Sequence, residues 1–113
     1  MLAIEKKDYH NKQSFCRQLN TYLTGFLSEE PDWLAGLSNA SALLYLLLPR
    51  INWAGFYIYK GGELVLGPFQ GKPACTCIAL GKGVCGTVAN DRQIQLVDDV
   101  NQFPGHIACD AAS

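Results

Sequence analysis

Apolar side chains near the start of the chain recur at the spacing of one helical face. Between residues 9 and 27 they lie three or four positions apart, as in an amphipathic helix. The stripe consists of Phe15, Leu19, Tyr22, Leu23, Phe26 and Leu27. Cys16 lies beside this stripe, where we expect a half-buried packing cysteine. The pattern predicts a first helix over residues 9–27.

A second apolar pattern predicts a helix over residues 28–48. Ser28 is the expected N-cap, followed by Glu29 and Glu30 in the first turn, where negative charge is favourable. The apolar face expected to pack consists of Trp33, Leu37, Leu44 and Leu48. Pro49 predicts the end of the helix, because the residue before a proline avoids the helical conformation.

From residue 52 the pattern changes from helical to extended. Residues 52–59 are rich in aromatic side chains and predict a first strand. Gly61 and Gly62 predict a two-residue hairpin turn, after which residues 63–66 return as the second strand. Two prolines and a glycine then predict a loop over residues 68–73.

The remaining pattern predicts shorter elements. A short strand is predicted over residues 75–80, and about two helical turns over residues 84–90. Residues 93–97 alternate between polar and apolar, which predicts a fourth strand. The residues from 98 onward predict a loop. Two helices followed by strands in hairpins favour an α+β domain, with the helices packed on an antiparallel sheet.

Composition narrows the class of protein. The 113 residues suffice for one small domain, and the formal net charge is −1, so neither nucleic acid nor a membrane is an expected partner. The longest apolar stretch is far shorter than the roughly 20 residues that span a bilayer. Charged residues near the N-terminus do not fit a signal peptide. We therefore expect a cytoplasmic domain.

Five cysteines are many for a chain of this length, and an odd number favours reactive thiols or a metal over a disulfide scaffold. Cys75 and Cys77 lie two positions apart on a predicted strand, so their side chains share a face about 6.6 Å apart along the strand. That geometry is poor for a disulfide. Each is expected to pair with a cysteine distant in sequence.

Cys85 lies in the glycine-rich stretch GKGVCG, residues 81–86, where a turn is predicted to open a short helix. Backbone N–H groups at a helix start stabilise an anion, so we expect a lowered thiol pKa there. A small residue that fills a tight turn is the alternative. A phosphate loop is disfavoured, because Lys82 comes before the second glycine instead of following it.

Cys109 follows His106 by three positions, and a neighbouring imidazole raises the thiolate fraction, whereas Asp110 opposes ionisation. A tetrahedral zinc site is an alternative use of the same side chains. Its ligands would come from Cys75, Cys77, Cys85, Cys109 and His106. Zinc is disfavoured, because structural sites more often use C-x2-C pairs and the chain has one C-x-C pair.

Five longer strings of the chain are characteristic in composition and order: NASALLY (39–45), NWAGFYIY (52–59), LVLGPFQGKPAC (64–75), GKGVCG (81–86) and HIACDAAS (106–113). Together they resemble the free methionine-(R)-sulfoxide reductases, which are GAF domains that reduce free methionine sulfoxide and not the peptide-bound form. The resemblance runs from about residue 14 to the last residue.

The resemblance implies a thiol mechanism without a bound cofactor or metal. A cysteine attacks the sulfoxide sulfur and is left as a sulfenic acid, a second cysteine forms a disulfide with it, and thioredoxin reduces the disulfide. It implies Cys109 as the attacking thiol, Cys75 as the resolving thiol and Cys85 as the alternative partner. It further implies that Trp53 and, less directly, Tyr57 bind the methyl group of the substrate.

Members of the family continue past the last string with two more strands and a final helix, which carry substrate-binding carboxylates. We therefore expect residues 1–113 to form a single, incomplete GAF domain, with weak activity or none unless another chain supplies the missing strands. The alternatives are a GAF module that binds or senses a small molecule without turnover, an inactive fragment of the reductase and a zinc-stabilised domain. Formation of a homodimer is left open.

Overall fold

Two helices, three strands and a third helix follow one another along residues 11–106, the part of the chain that a computed structural model of the protein describes. The elements are α1 (Lys12–Ser28), α2 (Trp33–Leu47), β1 (Trp53–Lys60), β2 (Glu63–Gly71), β3 (Cys77–Ala79), α3 (Gly83–Asp91) and a 3-10 turn at Val100–Gln102. The strands form a sheet of order β1-β2-β3. The architecture is α+β, as the order of the predicted elements indicated.

The chain divides into two compact units. The described residues of the first unit are 11–56 and Pro68–Gly71, and those of the second are Tyr57–Gly67 and 72–106. Strands β1 and β2 each contribute residues to both units. Helices α1 and α2 belong to the first unit, and β3 and α3 to the second.

Helix α1 confirms the first predicted helix. The Asn11 side chain accepts a hydrogen bond from the Ser14 backbone N–H at 2.8 Å and so caps the first turn. Leu19 packs with Leu43 and Leu47 of α2 in a hydrophobic cluster. Phe15, Tyr22, Leu23, Phe26, Leu44 and Leu48 pack around that cluster. The prediction for Cys16 is wrong, because it is exposed beside the stripe.

Helix α2 begins later than the sequence pattern predicted. Its N-cap is Asp32, whose side chain accepts hydrogen bonds from the N–H groups of Leu34 at 2.8 Å and Ala35 at 3.2 Å. Ser28, the predicted cap, is the last residue of α1. A carboxylate that satisfies two otherwise unpaired N–H groups explains the later start. Pro49 ends the helix as predicted, with Leu48 extended at ψ 126°.

The most deeply buried positions of α2 are offset from the predicted ones by about one residue, which is about 100° around the helix, although Leu44 and Leu48 pack against the hydrophobic cluster as predicted. Its buried residues are Gly36, Ala40, Ser41, Leu43 and Leu47. Trp33, predicted to pack, is 64% exposed. Gly36 lies close to Leu27, whose Cδ2 would be 3.1 Å from an added Cβ. Small residues at positions 36 and 40 therefore allow a close approach that a pattern of large apolar residues does not reveal.

The β1–β2 hairpin confirms the predicted two-residue turn, since Gly61 and Gly62 have φ values of 63° and 82°. Strand β2 continues through Pro68, however, where a loop was predicted. Its last backbone bond on the β3 side is from the Leu66 N–H to the Thr76 carbonyl, at 2.9 Å. The Pro68 nitrogen points to the same side of β2, beyond that bond, so its missing N–H removes no ladder bond.

The second unit confirms one predicted element and corrects two. Helix α3 spans Gly83–Asp91, close to the predicted residues 84–90. Strand β3 is shorter than predicted, with Ile78 opposite Leu64 of β2. The predicted fourth strand is wrong, because residues 93–97 belong to no strand.

Among the helices of the described chain, none combines the length and the apolar character that a membrane span requires.

Candidate active site

A hydrogen bond across the second unit connects two of the residues that the sequence singled out. The Tyr57 hydroxyl, on β1, donates to the backbone carbonyl of Cys75 at 2.7 Å. Both side chains are partly buried. The bond joins residues 18 positions apart, and it places a predicted redox cysteine against a predicted substrate-binding aromatic residue.

Cys75 lies in an irregular segment, residues 72–76, between β2 and β3. It is disulfide-bonded, whereas Cys16, Cys77 and Cys85 are free thiols. This confirms that Cys75 and Cys77 do not bridge each other. Cys109, the predicted attacking thiol, lies outside the described residues.

Cys85 occupies the third position of α3, after an N-cap residue, Lys82, that makes no side-chain cap hydrogen bond. The residue as a whole is exposed, yet burial by the surrounding atoms raises the pKa of the thiol. The prediction of a lowered pKa is therefore wrong. Removal of water from the thiolate outweighs the favourable field of a helix of nine residues.

Tyr57 also lies within electrostatic reach of Cys85. Burial raises the pKa of the Tyr57 hydroxyl, and the negative charge of a Cys85 thiolate raises it further. Tyr57 thus interacts with the backbone of Cys75 and with the side chain of Cys85. The second unit brings together three of the five predicted site residues.

Two glycines, Gly81 before α3 and Gly86 within it, determine the position of Cys85. The Gly81 N–H donates to the Gly86 carbonyl at 2.8 Å, which closes the turn. A Cβ on Gly86 would lie 2.5 Å from the Ala79 carbonyl oxygen, so α3 packs directly on the backbone at the end of β3. The close approach requires glycine at that position.

Trp53 belongs to the first unit, where its ring stacks on Phe69 with centroids 5.5 Å apart and an angle of 16° between the planes. Phe69 was missed by the sequence prediction, because the loop expected at Pro68 concealed the second half of β2. An aromatic residue after an apolar strand segment was the signal that could have found it.

The described residues offer no arrangement that supports the alternative of a zinc site. Within residues 11–106, no group of three or more His, Cys, Asp or Glu side chains is placed to hold a metal ion. His106 ends this part of the chain, and its backbone N–H donates to the Phe103 carbonyl at 3.1 Å. Its ring Nε2 is buried and has no hydrogen-bond partner among the described residues.

The chain is similar to proteins of several bacteria. It is 50% identical to protein YtsP of Bacillus subtilis over all of its own length and 70% of that protein. It is 53% identical to a free methionine-R-sulfoxide reductase of Escherichia coli, over 91% of the chain and 62% of the relative. No family model matches the chain.

Solved structures agree with these relatives. The structure of a free methionine-R-sulfoxide reductase from Neisseria meningitidis in complex with its substrate superposes with a TM-score of 0.91 at 36% identity, over 98% of the chain and 66% of that structure. The chain belongs to the free methionine-R-sulfoxide reductase family.

The fold of this family member is GAF-like. A putative GAF sensor protein from Burkholderia vietnamiensis superposes with a TM-score of 0.88 at 58% identity, over 91% of the chain and 65% of that structure. The chain thus spans 62–70% of the length of these four reductases and relatives.

Proposed function

We propose that the protein, as part of a single GAF domain, reduces free methionine-(R)-sulfoxide to methionine through cysteine thiols. The observation that carries the proposal is the cluster of Tyr57, Cys75 and Cys85 in a chain that is 53% identical to a named reductase. Because the chain spans less than the whole of its relatives, the activity of the whole protein is part of the proposal.

The chemistry requires two thiols and no bound cofactor. The Cys109 thiolate attacks the sulfoxide sulfur, methionine leaves, and the oxygen stays on Cys109 as a sulfenic acid. The Cys75 thiol then attacks that sulfur, so that a disulfide forms and water is released. A disulfide at Cys75 in the structure supports its role as the resolving thiol.

Cys85 is the alternative resolving thiol. Its exposure and its interaction with Tyr57 support this role, whereas its raised pKa opposes it by reducing the thiolate fraction near neutral pH. Cys75 therefore remains the first choice.

Trp53 and Tyr57 are the proposed aromatic contacts of the substrate. Each lies on β1, and each is only partly buried. A small methyl group on a sulfur suits an aromatic surface of this kind.

Thioredoxin is the proposed reductant. A cytoplasmic location and formation of a homodimer stay predictions.

A single-turnover assay tests the proposal without any reductant. The pre-reduced chain is mixed with excess free methionine-(R)-sulfoxide, and released methionine is counted against thiols lost. We expect up to one methionine per chain and the loss of two thiols for each. The S epimer and a peptide-bound sulfoxide should release none.

Two cysteine variants make this assay specific. Cys109→Ser should release no methionine, whereas Cys16→Ser, which removes an exposed thiol in the first unit, should behave as the parent chain does. If a folded parent chain released no methionine, the proposed reaction would be wrong for this chain.

A sensing module without turnover is the second candidate. It is favoured by the 58% identity to a putative GAF sensor protein. Binding of the sulfoxide to the parent chain without methionine release or thiol loss would support it. If binding survives in Cys109→Ser while only the parent chain releases methionine, the reductase is supported instead.

A further inference from the structure

The carbonyl of Cys75 lies outside the strand ladder. Strand β3 begins at Cys77, so the carbonyls of Cys75 and Thr76 precede the regular pairing with β2. A partly buried carbonyl without a partner would destabilise the fold, because it would lose its hydrogen bonds to water without replacement. The structure supplies a partner to each of the two, and the two partners come from different strands.

Two hydrogen bonds hold the carbonyls of Cys75 and Thr76, which belong to consecutive peptide units. The Leu66 N–H of β2 binds the Thr76 carbonyl at 2.9 Å, and the Tyr57 hydroxyl of β1 binds the Cys75 carbonyl at 2.7 Å. The first bond continues the sheet, whereas the second is made by a side chain. Tyr57 therefore restrains the backbone of Cys75 at the point where the sheet no longer does.

We propose that the Tyr57 hydroxyl is a positioning group for Cys75, which holds the backbone of this cysteine where its sulfur can enter a disulfide. The proposal rests on the proposed function for its biological meaning, though not for its test. In the resolving step, the Cys75 thiol attacks the sulfenic sulfur of Cys109; an S–S bond forms, the S–O bond breaks, and water leaves. A cysteine held in place has less conformational freedom to lose in this ring closure.

The environment of Tyr57 keeps its hydroxyl able to donate. Burial and the charge of a Cys85 thiolate both raise the pKa of this group, so its proton is retained as the solution becomes more alkaline. A deprotonated phenolate could not donate to a carbonyl and would be repelled by it. The same tyrosine can thus serve Cys75 in the presence of a thiolate at Cys85.

The matched variants are Tyr57→Phe and Tyr59→Phe. Both remove one hydroxyl from β1, but Tyr59 is 63% exposed. The oxidised chain is equilibrated with glutathione buffers, and the fraction of Cys75 in its disulfide is measured by mass spectrometry after thiol alkylation. Since one neutral hydrogen bond contributes about 1 kcal/mol, we expect the equilibrium constant for oxidation to fall roughly fivefold in Tyr57→Phe and to stay unchanged in Tyr59→Phe.

A single-turnover experiment separates positioning from general weakening of the fold. In Tyr57→Phe, formation of the disulfide should slow relative to methionine release, so that more sulfenic acid is captured by dimedone. Thermal unfolding of each variant is measured with Cys75 oxidised and reduced. A purely structural tyrosine would destabilise both forms equally, whereas a positioning group destabilises the oxidised form more.

The outcomes separate the inference from the proposed function. If the parent chain releases no methionine but Tyr57→Phe shifts the glutathione equilibrium, the reaction is wrong and the positioning role stands. An equal equilibrium constant for both variants and the parent chain would overturn the inference. Should Tyr57→Phe fail to fold, NMR detection of the tyrosine hydroxyl protons in the parent chain decides, since a Tyr57 hydroxyl proton that exchanges with water as fast as that of the exposed Tyr59 would also overturn it.

Discussion

The helix pair of the first unit and residues 93–97 of the second are both apolar in sequence, yet only the helix pair buries its apolar side chains. Leu43 of α2 is 1% exposed and packs with Leu19 and Leu47. Ile94 and Leu96 are 96% and 93% exposed, although their alternation with polar residues is typical of a strand. No strand of residues 11–106 pairs with this segment.

The difference shows that the periodicity of apolar residues indicates which side chains a segment can bury. It does not show whether another part of the protein is placed to cover them. Helix α1 lies next in sequence to α2 and presents a matching stripe, so the two apolar faces cover each other. An isolated extended segment needs a neighbouring strand for its backbone as well as its side chains. Without that neighbour among the described residues, its pattern is not enough to form a strand.

The largest expected effect is at the centre of the helix pair. Leu43→Ala should lower the free energy of unfolding by about 2–5 kcal/mol, because it leaves a cavity between α1 and α2. Leu46→Ala, at an exposed position of the same helix, is the matched control and should change it by less than about 1 kcal/mol. Urea denaturation followed by circular dichroism measures both, and equal losses would contradict the described packing.

Two helical glycines test whether α3 in the second unit is as closely packed as the helix pair. Gly86→Ala should cost about 1–3 kcal/mol, because the new Cβ meets the Ala79 backbone carbonyl at 2.5 Å. Gly36→Ala meets only the Leu27 side chain, at 3.1 Å, and should cost less, because that side chain can move and alanine favours the helix. Thermal unfolding compares the two variants, and a larger loss at Gly36 would reverse this ranking.

The start of α2 gives a smaller effect. Asp32→Ala should destabilise the chain by about 1 kcal/mol, because two N–H groups of the first turn lose their acceptor. Ser28→Ala, at the cap position that the sequence pattern favoured, should cost clearly less. Comparison of the two denaturation midpoints checks the boundary, and a greater loss at Ser28 would show that α2 begins earlier.

The smallest effect is expected where the apolar pattern is exposed. Replacement of both Ile94 and Leu96 by serine should change the free energy of unfolding by no more than about 0.5 kcal/mol. Ile78→Ser, a buried position in β3, is the control and should be strongly destabilising. A loss above 1 kcal/mol in the double variant would mean that the segment is covered in solution, and sedimentation would show whether a second copy covers it.

Much of the fold follows from local sequence signals. The stripe from Phe15 to Phe26 predicts α1, and paired glycines predict the hairpin turn, because these signals act within a few residues. The loop predicted at Pro68 is wrong, because the effect of this proline on the strand depends on residues distant in sequence. Whether a proline interrupts a strand depends on whether a neighbour needs its N–H, and that neighbour is distant in sequence.

The members of the candidate site were predicted from the sequence and stay predictions, whereas their arrangement came only from the structure. Residue type and resemblance selected Tyr57, Cys75 and Cys85. The hydrogen bond from Tyr57 to the Cys75 carbonyl could not be foreseen, because it depends on β3 starting after Cys75. The direction of the pKa shift at Cys85 was wrong, because a helix start is visible in sequence and desolvation is not.

The sequence by itself determined the class of fold, the three helices, the turn between β1 and β2 and the cysteines that are candidates for redox chemistry. These depend on side-chain type and on spacing along the chain. Only the tertiary structure decided which positions of α2 are most deeply buried, that Ile94 and Leu96 stay exposed, and that the Tyr57 hydroxyl donates to the Cys75 carbonyl within electrostatic reach of Cys85. Burial and hydrogen bonding are properties of what surrounds a residue, and those surroundings come from parts of the chain distant in sequence.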